Sequence, residues 1–430
     1  MDNEQKNFEE AMQHSLAAAR PRRPRHPSDG DDSDPPRPPP LDEGPPNVAR
    51  GLAPSSYQPA ARQVVIADAL PHPVAFKLAF LGTGQGGSRM ADAFWRIGYR
   101  RVAVLNTTDM DFKGISDEVA RLNLAIGGAA KDPQFAANSL KGREEEVRDL
   151  LTQAFGNDPD YILLCVGLGG GTGSGTAPRL VELARQYLAD KRWGEPKVGA
   201  VVSLPPVGEG QAVARNAVNG FKALLDLKVS PLVIIDNARI HALYDPPLAE
   251  LHPRANLTVS QLFHLFNRLA AVHSDYVTFD QSELAQLLDG GIVVMGAADI
   301  AVADIRSPAD ISRRIREELT NNVLATVDLH RGRKAACLFV GSADVLGTFS
   351  LDYFDAGFTQ LDRIVGSARP AEPTVIHRGV YKGKEAGLQC YTMISELDPP
   401  MDRLAELAKK GMVGAAANPK SLASFLRVQD

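Results

Sequence analysis

The sequence predicts an α/β protein with a parallel sheet in its first half, a long central helix and a smaller α+β C-terminal part. Three observations predict this fold. Short apolar runs alternate with amphipathic stretches, two of the runs end in glycine-rich loops, and one apolar stretch near the middle is long enough for a central helix. Strands that alternate with helices are typical of a parallel sheet covered by those helices. A chain of 430 residues can bury two or three cores.

The first half, from residue 63 to residue 256, is predicted to alternate strands with helices. Apolar runs predict strands at 75–81, 101–105, 161–166, 198–204 and 232–235. Amphipathic spacing predicts helices at 88–98, 144–155, 177–188 and 211–225.

The central helix is predicted over 257–272, where Thr258 and Gln261 have the spacing of a capping box. This helix and the loop after it form one unit, residues 257–290. Residues 291–400 are predicted to be α+β, with strands at 291–296, 335–340, 374–381 and 387–394 and helices at 309–321 and 353–365. Residues 401–430 are expected to form a short helix and a tail.

Residues 1–62 differ in composition from the rest of the chain. Apolar residues within 1–20 have helical spacing, and 21–62 are rich in Pro, Arg, Asp and Ser. Because this composition cannot build a core, we expect a disordered N-terminal arm with a short helix. Such an arm is typical of a peptide that docks on a partner protein, and equally of a solvated tail without one. Both interpretations stay open.

Composition and charge argue against several classes of protein. The chain is 44% apolar and 23% charged with a net charge of −5, so no nucleic-acid partner is expected. No run approaches the roughly 20 apolar residues of a membrane span, and the N-terminus lacks a secretory signal. We therefore expect a cytoplasmic protein. The three cysteines, too scattered for a disulfide framework or a zinc site, are expected to be buried thiols, and no residue is predicted as a metal ligand.

A first glycine-rich loop separates the strand at 75–81 from the helix after it. Glycines let the backbone adopt positive φ and let a phosphate approach, and the N–H groups of a helix start favour an anion. The spacing also fits the dinucleotide loop of NAD-dependent oxidoreductases. The candidate binding residues here are Gly84, Gln85, Gly86, Gly87 and Ser88.

A second glycine-rich loop, again between a strand and a helix, favours one of these alternatives. Its six glycines between residues 167 and 175 make a nest of amide groups that can wrap phosphates. A dinucleotide-binding dehydrogenase has no use for a second such loop, and a Walker A loop would need a lysine that is absent here. The candidate binding residues are Gly169, Gly170, Gly171, Thr172, Gly173 and Ser174.

The string GGGTGSG, from Gly169 to Gly175, resembles the signature of the tubulins, and FtsZ proteins carry nearly the same string. The first loop resembles that of eukaryotic tubulins, which implies that Gln85 lies beside the phosphates and their magnesium. The resemblance runs from about residue 77 to 300, and more loosely to about 395. It implies a GTP-binding domain at 63–256 that takes GTP or GDP with Mg²⁺, and a polymer in which identical chains join head to tail.

Other loops follow in the order of this family. One comes after the second strand, one falls where the γ-phosphate-sensing loop belongs, and two more match the loops that bind the ribose and the guanine. An ordinary surface turn is the alternative for the γ-phosphate-sensing loop, and a capping or turn role is the alternative for Glu209 and Asn237. The contacts implied by the resemblance are those of Asn106, Gly128, Ala129, Ala130, Glu209 and Asn237.

The predicted catalytic segment follows the central helix. Asp280 and Glu283 are three residues apart, which places both carboxylates on one face of a first helical turn. The same spacing fits a capping pair. The resemblance implies that the two carboxylates complete the site of the next copy in a filament. There they would orient the attacking water while a cation and glycine amides hold the phosphate charge.

The sequence also departs from the family. Thr278 stands where these proteins usually carry Asn, and Val213 stands where FtsZ has a basic residue, with Arg215 two residues further on. Three hypotheses stay open: a filament-forming GTPase, a tubulin-like filament or regulatory protein without hydrolysis, and an NAD-dependent oxidoreductase. The last requires an acid at the end of the second strand, which ends in Asn106.

Overall fold

The computed structural model describes residues 66–412, apart from gaps at 126, 158, 192–194, 245–247, 322–323 and 385–386, together with Leu422, Phe425 and Leu426. The predicted arm and short helix at 1–62 lie outside the described residues. So does most of the predicted tail beyond residue 412.

One mixed sheet of ten strands forms the centre of the described structure and confirms the predicted α/β fold. The strands are β1 (Leu78–Thr83), β2 (Val102–Asn106), β3 (Ala120–Asn123), β4 (Tyr161–Gly167), β5 (Val198–Leu204), β6 (Leu232–Asp236), β7 (Ile292–Ile300), β8 (Lys334–Gly341), β9 (Val375–Lys382) and β10 (Leu388–Leu397). Their order is β3-β2-β1-β4-β5-β6-β7-β10-β8-β9. Neighbours from β3 to β7 are parallel, β10 is antiparallel to β7 and β8, and β9 pairs in parallel with β8.

Helices cover both faces of this sheet. They are α1 (Gly84–Arg96), α2 (Pro133–Leu140), α3 (Glu144–Phe155), α4 (Gly171–Lys191), α5 (Gln211–Asp226), α6 (Asn237–Tyr244), α7 (Leu248–Leu269), α8 (Gln281–Leu288), α9 (Pro308–Asn321), α10 (Ala343–Gly347), α11 (Leu351–Ile364) and α12 (Met401–Gly411). Within the described ranges, none is both long and apolar enough to cross a bilayer.

Two apolar cores result, one on each face of the sheet. Successive side chains of a strand point to opposite faces, so Phe80 enters one core and Leu81 the other. Helices α1 and α7 pack in the core of Phe80, and α4 and α5 pack in the core of Leu81. Each fully buried side chain of this size contributes about 1.5–3 kcal/mol to folding. Cys165, Cys337 and Cys390 are buried, as predicted.

The sheet continues across the predicted boundary at residue 290. Strands β6 and β7 pair only at Leu232–Ile292 and Val233–Val293, whereas β7 pairs with β10 along most of its length. The first half thus joins the second half through a short seam. The division into 63–256, 257–290, 291–400 and 401–430 stays a prediction.

The central helix α7 is longer than predicted. It begins at Leu248 instead of residue 257, and Pro253 lies inside it, near the N-terminal end. Thr258 is therefore an interior residue of the helix, and the predicted capping box with Gln261 is wrong. A proline close to a helix start removes a hydrogen bond only from the early turns, so the helix continues through it.

A polar network fixes α7 against the first half of the chain. The Asn267 side chain accepts the Phe76 N–H at 2.8 Å and donates to the Phe76 carbonyl at 2.9 Å and to the Tyr99 hydroxyl at 3.1 Å. His264, one turn earlier, lies 3.2 Å from the same hydroxyl. Burial lowers the pKa of His264 to about 3, so its ring is neutral at physiological pH.

Candidate functional site

The strands of the first half end at a common cleft of about 450 Å³. Thr83, Gly167, Ser203 and Asn237, at or near the carboxyl ends of four parallel strands, all line it. Open parallel sheets bind ligands at this edge. Most of the predicted binding residues also line the cleft: Gly84, Gln85, Gly86, Gly128, Ala129, Ala130, Gly169, Gly170, Gly171, Thr172, Gly173, Glu209 and Asn237.

Four predicted binding residues, Gly87, Ser88, Asn106 and Ser174, do not line the cleft. A Cβ atom on Gly87 would come within 2.0 Å of a carbonyl oxygen of β4, so glycine there lets α1 pack closely on that strand. Ser88 and Asn106 are fully buried, and the Ser174 hydroxyl donates to a carbonyl group of its own loop. In this geometry the four residues support the walls of the cleft.

Both glycine-rich loops include the first turn of a helix. The predicted helices begin at residues 88 and 177, but α1 begins at Gly84 and α4 begins at Gly171. The first turns of both helices line the cleft, so their unpaired N–H groups and positive dipole ends meet there. Two helix starts at one cleft suit a group that carries several negative charges.

Gly170 leaves open space in the cleft. A Cβ atom added to Gly170 would meet nothing closer than 3.8 Å, so the protein leaves room for a side chain at this position, which lines the cleft. A Cβ atom on Gly173 would instead lie 2.8 Å from the carbonyl oxygen of Gly167. Glycine at 173 is thus required by packing within the loop, whereas glycine at 170 leaves room for a ligand.

The loop at 127–131 adds a further side to the cleft. Its φ angles are positive at Gly127, Gly128, Ala130 and Lys131, and the values of 46° and 64° at the last two are uncommon for residues with a side chain. The Asn216 side chain, from α5, donates to the Lys131 carbonyl at 2.8 Å and holds this conformation. Successive turns of this kind direct N–H groups toward one point.

The positive side chains of the cleft were not among the predicted binding residues. Arg89 of α1 and Lys131 both line it. Val213 also lines it, at the position where FtsZ has a basic residue, and Arg215 does not. Positive charge therefore reaches the cleft from α1 and from the loop at 127–131 instead of from α5.

Helix α7 contributes two further residues that the sequence analysis missed. His252 and Asn256 are four residues apart, so they lie on one face of the helix, and both line the cleft. The spacing is visible in the sequence. The predicted helix began at residue 257, however, and left both residues outside it.

The acidic segment after α7 forms the capping box that its spacing allows. Asp280 Oδ1 accepts the N–H groups of Ser282 and Glu283 at 2.8 and 3.0 Å, and Glu283 Oε2 accepts the Asp280 N–H at 3.0 Å. The Ser282 hydroxyl and these N–H groups hold the pKa of Asp280 below its ordinary value, so it is a carboxylate at neutral pH. Its second oxygen, Oδ2, accepts no hydrogen bond from the described residues.

The cleft and the acidic segment lie toward opposite ends of α7. From His252, which lines the cleft, to Asn267 the helix rises about 22 Å at 1.5 Å per residue. Gln281 donates to the Ala75 carbonyl at 2.7 Å, and the Ala75 N–H donates to the Asn267 carbonyl at 2.8 Å. The segment that carries Asp280 therefore stays beside the far end of the helix, away from its own cleft.

Comparison with known proteins identifies a family that matches the first half of the chain. Residues 77–245 match the GTPase domain of the Tubulin/FtsZ family. The cell division protein FtsZ 1 of Pyrococcus horikoshii is 26% identical over 289 residues, 63% of this chain and 69% of that protein. The tubulin-like protein TubZ of Bacillus cereus is 24% identical over 360 residues, 76% of this chain and 80% of that protein. The match decides against the oxidoreductase hypothesis.

Solved structures share the fold. The GDP-form protofilament of TubZ from Bacillus thuringiensis serovar israelensis has a TM-score of 0.67 at 17% identity and covers 82% of this chain and 94% of that one. The GTPγS-bound protofilament of CetZ2 from Haloferax volcanii has a TM-score of 0.64 at 18% identity, with 80% and 99% covered. At these identities the likeness concerns the fold alone.

Proposed function

Residues 77–245 belong to the Tubulin/FtsZ family of GTPase domains, and from this premise we propose that the protein binds GTP in the cleft and hydrolyses it within a head-to-tail filament of identical chains. The observation that supports this most is the separation of the cleft from Asp280 along α7. A second copy, stacked in the same orientation, brings its Asp280 to the cleft of the first. Such a contact repeats without closing on itself and so generates a filament.

A triphosphate fits the groups at the strand ends. The first turns of α1 and α4 and the loop at 127–131 present N–H groups, and Arg89 and Lys131 add positive charge. Glu209, which also lines the cleft, can accept hydrogen bonds from ribose hydroxyls. The fit therefore rests on fixed amides and two cations, without the lysine of a Walker A loop.

The guanine base is assigned to the part of the cleft formed by α6 and α7. Asn237 and Asn256 line it, and an Asn side chain donates and accepts at once, which suits the edge of guanine. The flat ring of His252 offers a surface on which a base can stack. Adenine presents a different order of donors and acceptors, so we expect a preference for GTP and GDP over ATP.

Mg²⁺ would be held by oxygen atoms near the phosphates. Gln85, Thr108 and Asp111 bring such oxygens to the cleft, and Mg²⁺ prefers oxygen ligands. Among the described residues there is no group of three or more His, Cys, Asp or Glu that could hold a metal ion. Most ligands would then come from phosphate and water, and the bound ion would neutralise phosphate charge.

Asp280 has the properties of a group that orients water. It is exposed, ionised at neutral pH, and has an Oδ2 atom that can accept a hydrogen bond from a water molecule. The water oxygen bonds to the γ-phosphorus while the bond to the bridging oxygen breaks, leaving GDP and phosphate. The glycine amides, Arg89 and Lys131 stabilise the charge that moves to the leaving oxygen.

The first experiment measures GTP turnover against protein concentration. Turnover per chain should rise steeply as filaments form and be negligible for monomers. Asp280→Asn keeps the side-chain oxygen that caps α8 but removes the charge. We expect it to bind GTP and assemble, with turnover lower by roughly 10²–10⁴.

Mixing two inactive variants tests whether the site is shared. Gly170→Val blocks the cleft but keeps Asp280, and Asp280→Asn keeps the cleft. When sedimentation confirms that both chains enter one filament, the mixture should regain turnover. Joint filaments without any regained turnover would place the whole site within one chain and refute the mechanism.

A filament that does not hydrolyse GTP is the second candidate. Val213 in the cleft favours it, because no basic side chain is delivered from that position. Thr278 is likewise committed to the loop, where its hydroxyl accepts the Ser274 N–H at 3.0 Å. This candidate predicts assembly with GTP, no phosphate release, and no difference between the wild type and Asp280→Asn.

A further inference from the structure

The acidic segment covers part of the edge strand β9. The Val380 N–H donates to the Val277 carbonyl at 2.9 Å. The Tyr381 hydroxyl accepts the Phe279 N–H at 2.7 Å and donates to the Phe279 carbonyl at 2.9 Å. An edge strand exposes unpaired backbone groups that proteins usually cover. Here the cover is the segment that leads into Asp280, so β9 determines where that segment lies.

His377 extends this contact to the capping box. It lies four residues before Tyr381 on the same face of β9, and its Nδ1 atom is 3.1 Å from Glu283 Oε1. A carboxylate only accepts hydrogen bonds, so Nδ1 carries the proton and donates. The other Glu283 oxygen accepts the Asp280 N–H. His377, Glu283 and Asp280 thus form a chain of hydrogen bonds from the sheet to the start of α8.

Folding stability alone does not account for a histidine at this place. His377 is only 6% exposed, and its Nε2 atom has no hydrogen-bond partner among the described residues. A buried polar atom without a partner lowers stability, and an apolar side chain of similar size would avoid that loss. The hydrogen bond to Glu283 is the interaction that the ring makes and an apolar side chain cannot make.

We infer that His377 is a positioning residue for Asp280 and Glu283 when these carboxylates complete the site of the next copy, an inference that rests on the proposed function. Without the Nδ1–H donor, Glu283 loses one of its two anchors and the start of α8 is less constrained. Misplacing a reacting group by about 1 Å can cost 10²-fold in rate. Because Asp280 keeps its own capping bonds, we expect a loss of roughly tenfold.

Two substitutions separate positioning from packing. His377→Leu keeps an apolar side chain of similar size without the donor, and His377→Asn keeps an N–H near the place of Nδ1. In filaments, His377→Leu should lower kcat roughly tenfold with KM, GTP affinity and thermal stability unchanged or improved. His377→Asn should recover most of the loss. Wild-type turnover in His377→Leu, or equal losses in both variants, would overturn the inference.

The mixing experiment shows which chain carries the effect. In the pair described above, only the Gly170→Val chain supplies Asp280. His377→Leu added to that chain should lower the activity of the mixture roughly tenfold. The same substitution added to the Asp280→Asn chain should have no effect. An equal loss in both placements would indicate a general effect on assembly and refute the positioning role.

Failure of the proposed function gives a different result. If Asp280→Asn turns over GTP like the wild type, the shared site itself is wrong. If Asp280→Asn is impaired while His377→Leu is not, the shared site stands and only the role of His377 is refuted.

Discussion

Arg403 Nε and Asp236 Oδ2 lie 3.0 Å apart, an ion pair that joins the C-terminal helix α12 to the end of β6. Both side chains are buried, and Arg403 also donates to the carbonyl of Pro205, a residue that lines the cleft. Asn237, assigned above to the base, directly follows Asp236. The C-terminal helix therefore supports the cleft from behind, although it is nearly 170 residues away in the sequence.

Breaking this pair should destabilise the fold. Arg403→Met leaves the buried Asp236 carboxylate without its cation, which costs about 3–5 kcal/mol. Burial raises the pKa of Asp236 and Arg403 lowers it, so removing Arg403 raises that pKa further, and the buried charge costs more stability as pH rises through it. The loss in Arg403→Met should therefore be larger at neutral pH than in mild acid. Urea unfolding at both pH values measures it.

A double variant supplies the control for this prediction. Adding Asp236→Asn to Arg403→Met removes the buried charge and should recover much of the lost free energy of unfolding. No recovery would show that Arg403 acts through packing or its bond to Pro205 instead of through the pair.

A side chain at Gly170 should block nucleotide binding in a folded protein. The Cβ atom of Gly170 would meet only the Gly167 carbonyl oxygen, at 3.8 Å, so the protein has room for valine there, and under the proposed function that side chain obstructs the phosphates. Gly347→Val is the matched control, because its Cβ atom meets nothing within 4 Å and it lies in α10, which does not line the cleft. Calorimetry should show no GTP binding to Gly170→Val and wild-type binding to Gly347→Val. Wild-type affinity for GTP in both variants would show that the phosphates do not bind in this cleft.

Guanine selectivity should depend on α7. Asn256→Ala removes a side chain that can pair with the base, and a lost hydrogen bond of about 1 kcal/mol lowers GTP affinity several-fold. ATP does not form that bond, so its affinity should stay the same. The ratio of GTP affinity to ATP affinity should therefore fall. Competition with a fluorescent GTP analogue measures both affinities. An equal fall for GTP and ATP would indicate that Asn256 shapes the cleft without reading the base.

The N-terminal arm should be dispensable for folding up to a definite residue. Deleting 2–62 should leave the free energy of unfolding and GTP affinity unchanged, since that composition cannot build a core. Deleting 2–70 also removes Asp68, which pairs with the buried Arg101 at 2.8 Å, and Ile66, whose carbonyl accepts from the same guanidinium at 2.7 Å. That deletion should cost about 3 kcal/mol or more. Equal stability of the two truncations would contradict this boundary.

The sequence predicted most of the sheet because its central strands are apolar on both faces and are followed by recognisable loops. It missed β3 (Ala120–Asn123), a short edge strand in which only Leu122 is buried. It also missed α2 (Pro133–Leu140), which is short and buries only Ala136 and Leu140. Short elements at the rim have too few apolar positions to show a period.

The sequence likewise predicted one part of the candidate site and missed another. The sequence predicted the glycine-rich loops because several residues of one loop serve the same function. It did not predict Arg89 and Asn256, because each stands alone in the sequence and only the packing of the helices brings it to the cleft. The bond between His377 and Glu283 joins residues 94 positions apart. No local sequence pattern predicts such a contact.

Asn267 determines more than the stability of α7. Its three hydrogen bonds hold the helix at one register against the first half of the chain, and a slip of one turn would break all of them. In a straight stack of like-oriented copies, the translation between neighbours equals the vector from a copy's cleft to its own Asp280. Under the proposed head-to-tail contact, each folded chain would therefore fix the repeat of its filament, and one helical turn removed from α7 would shorten that repeat by up to about 5.4 Å.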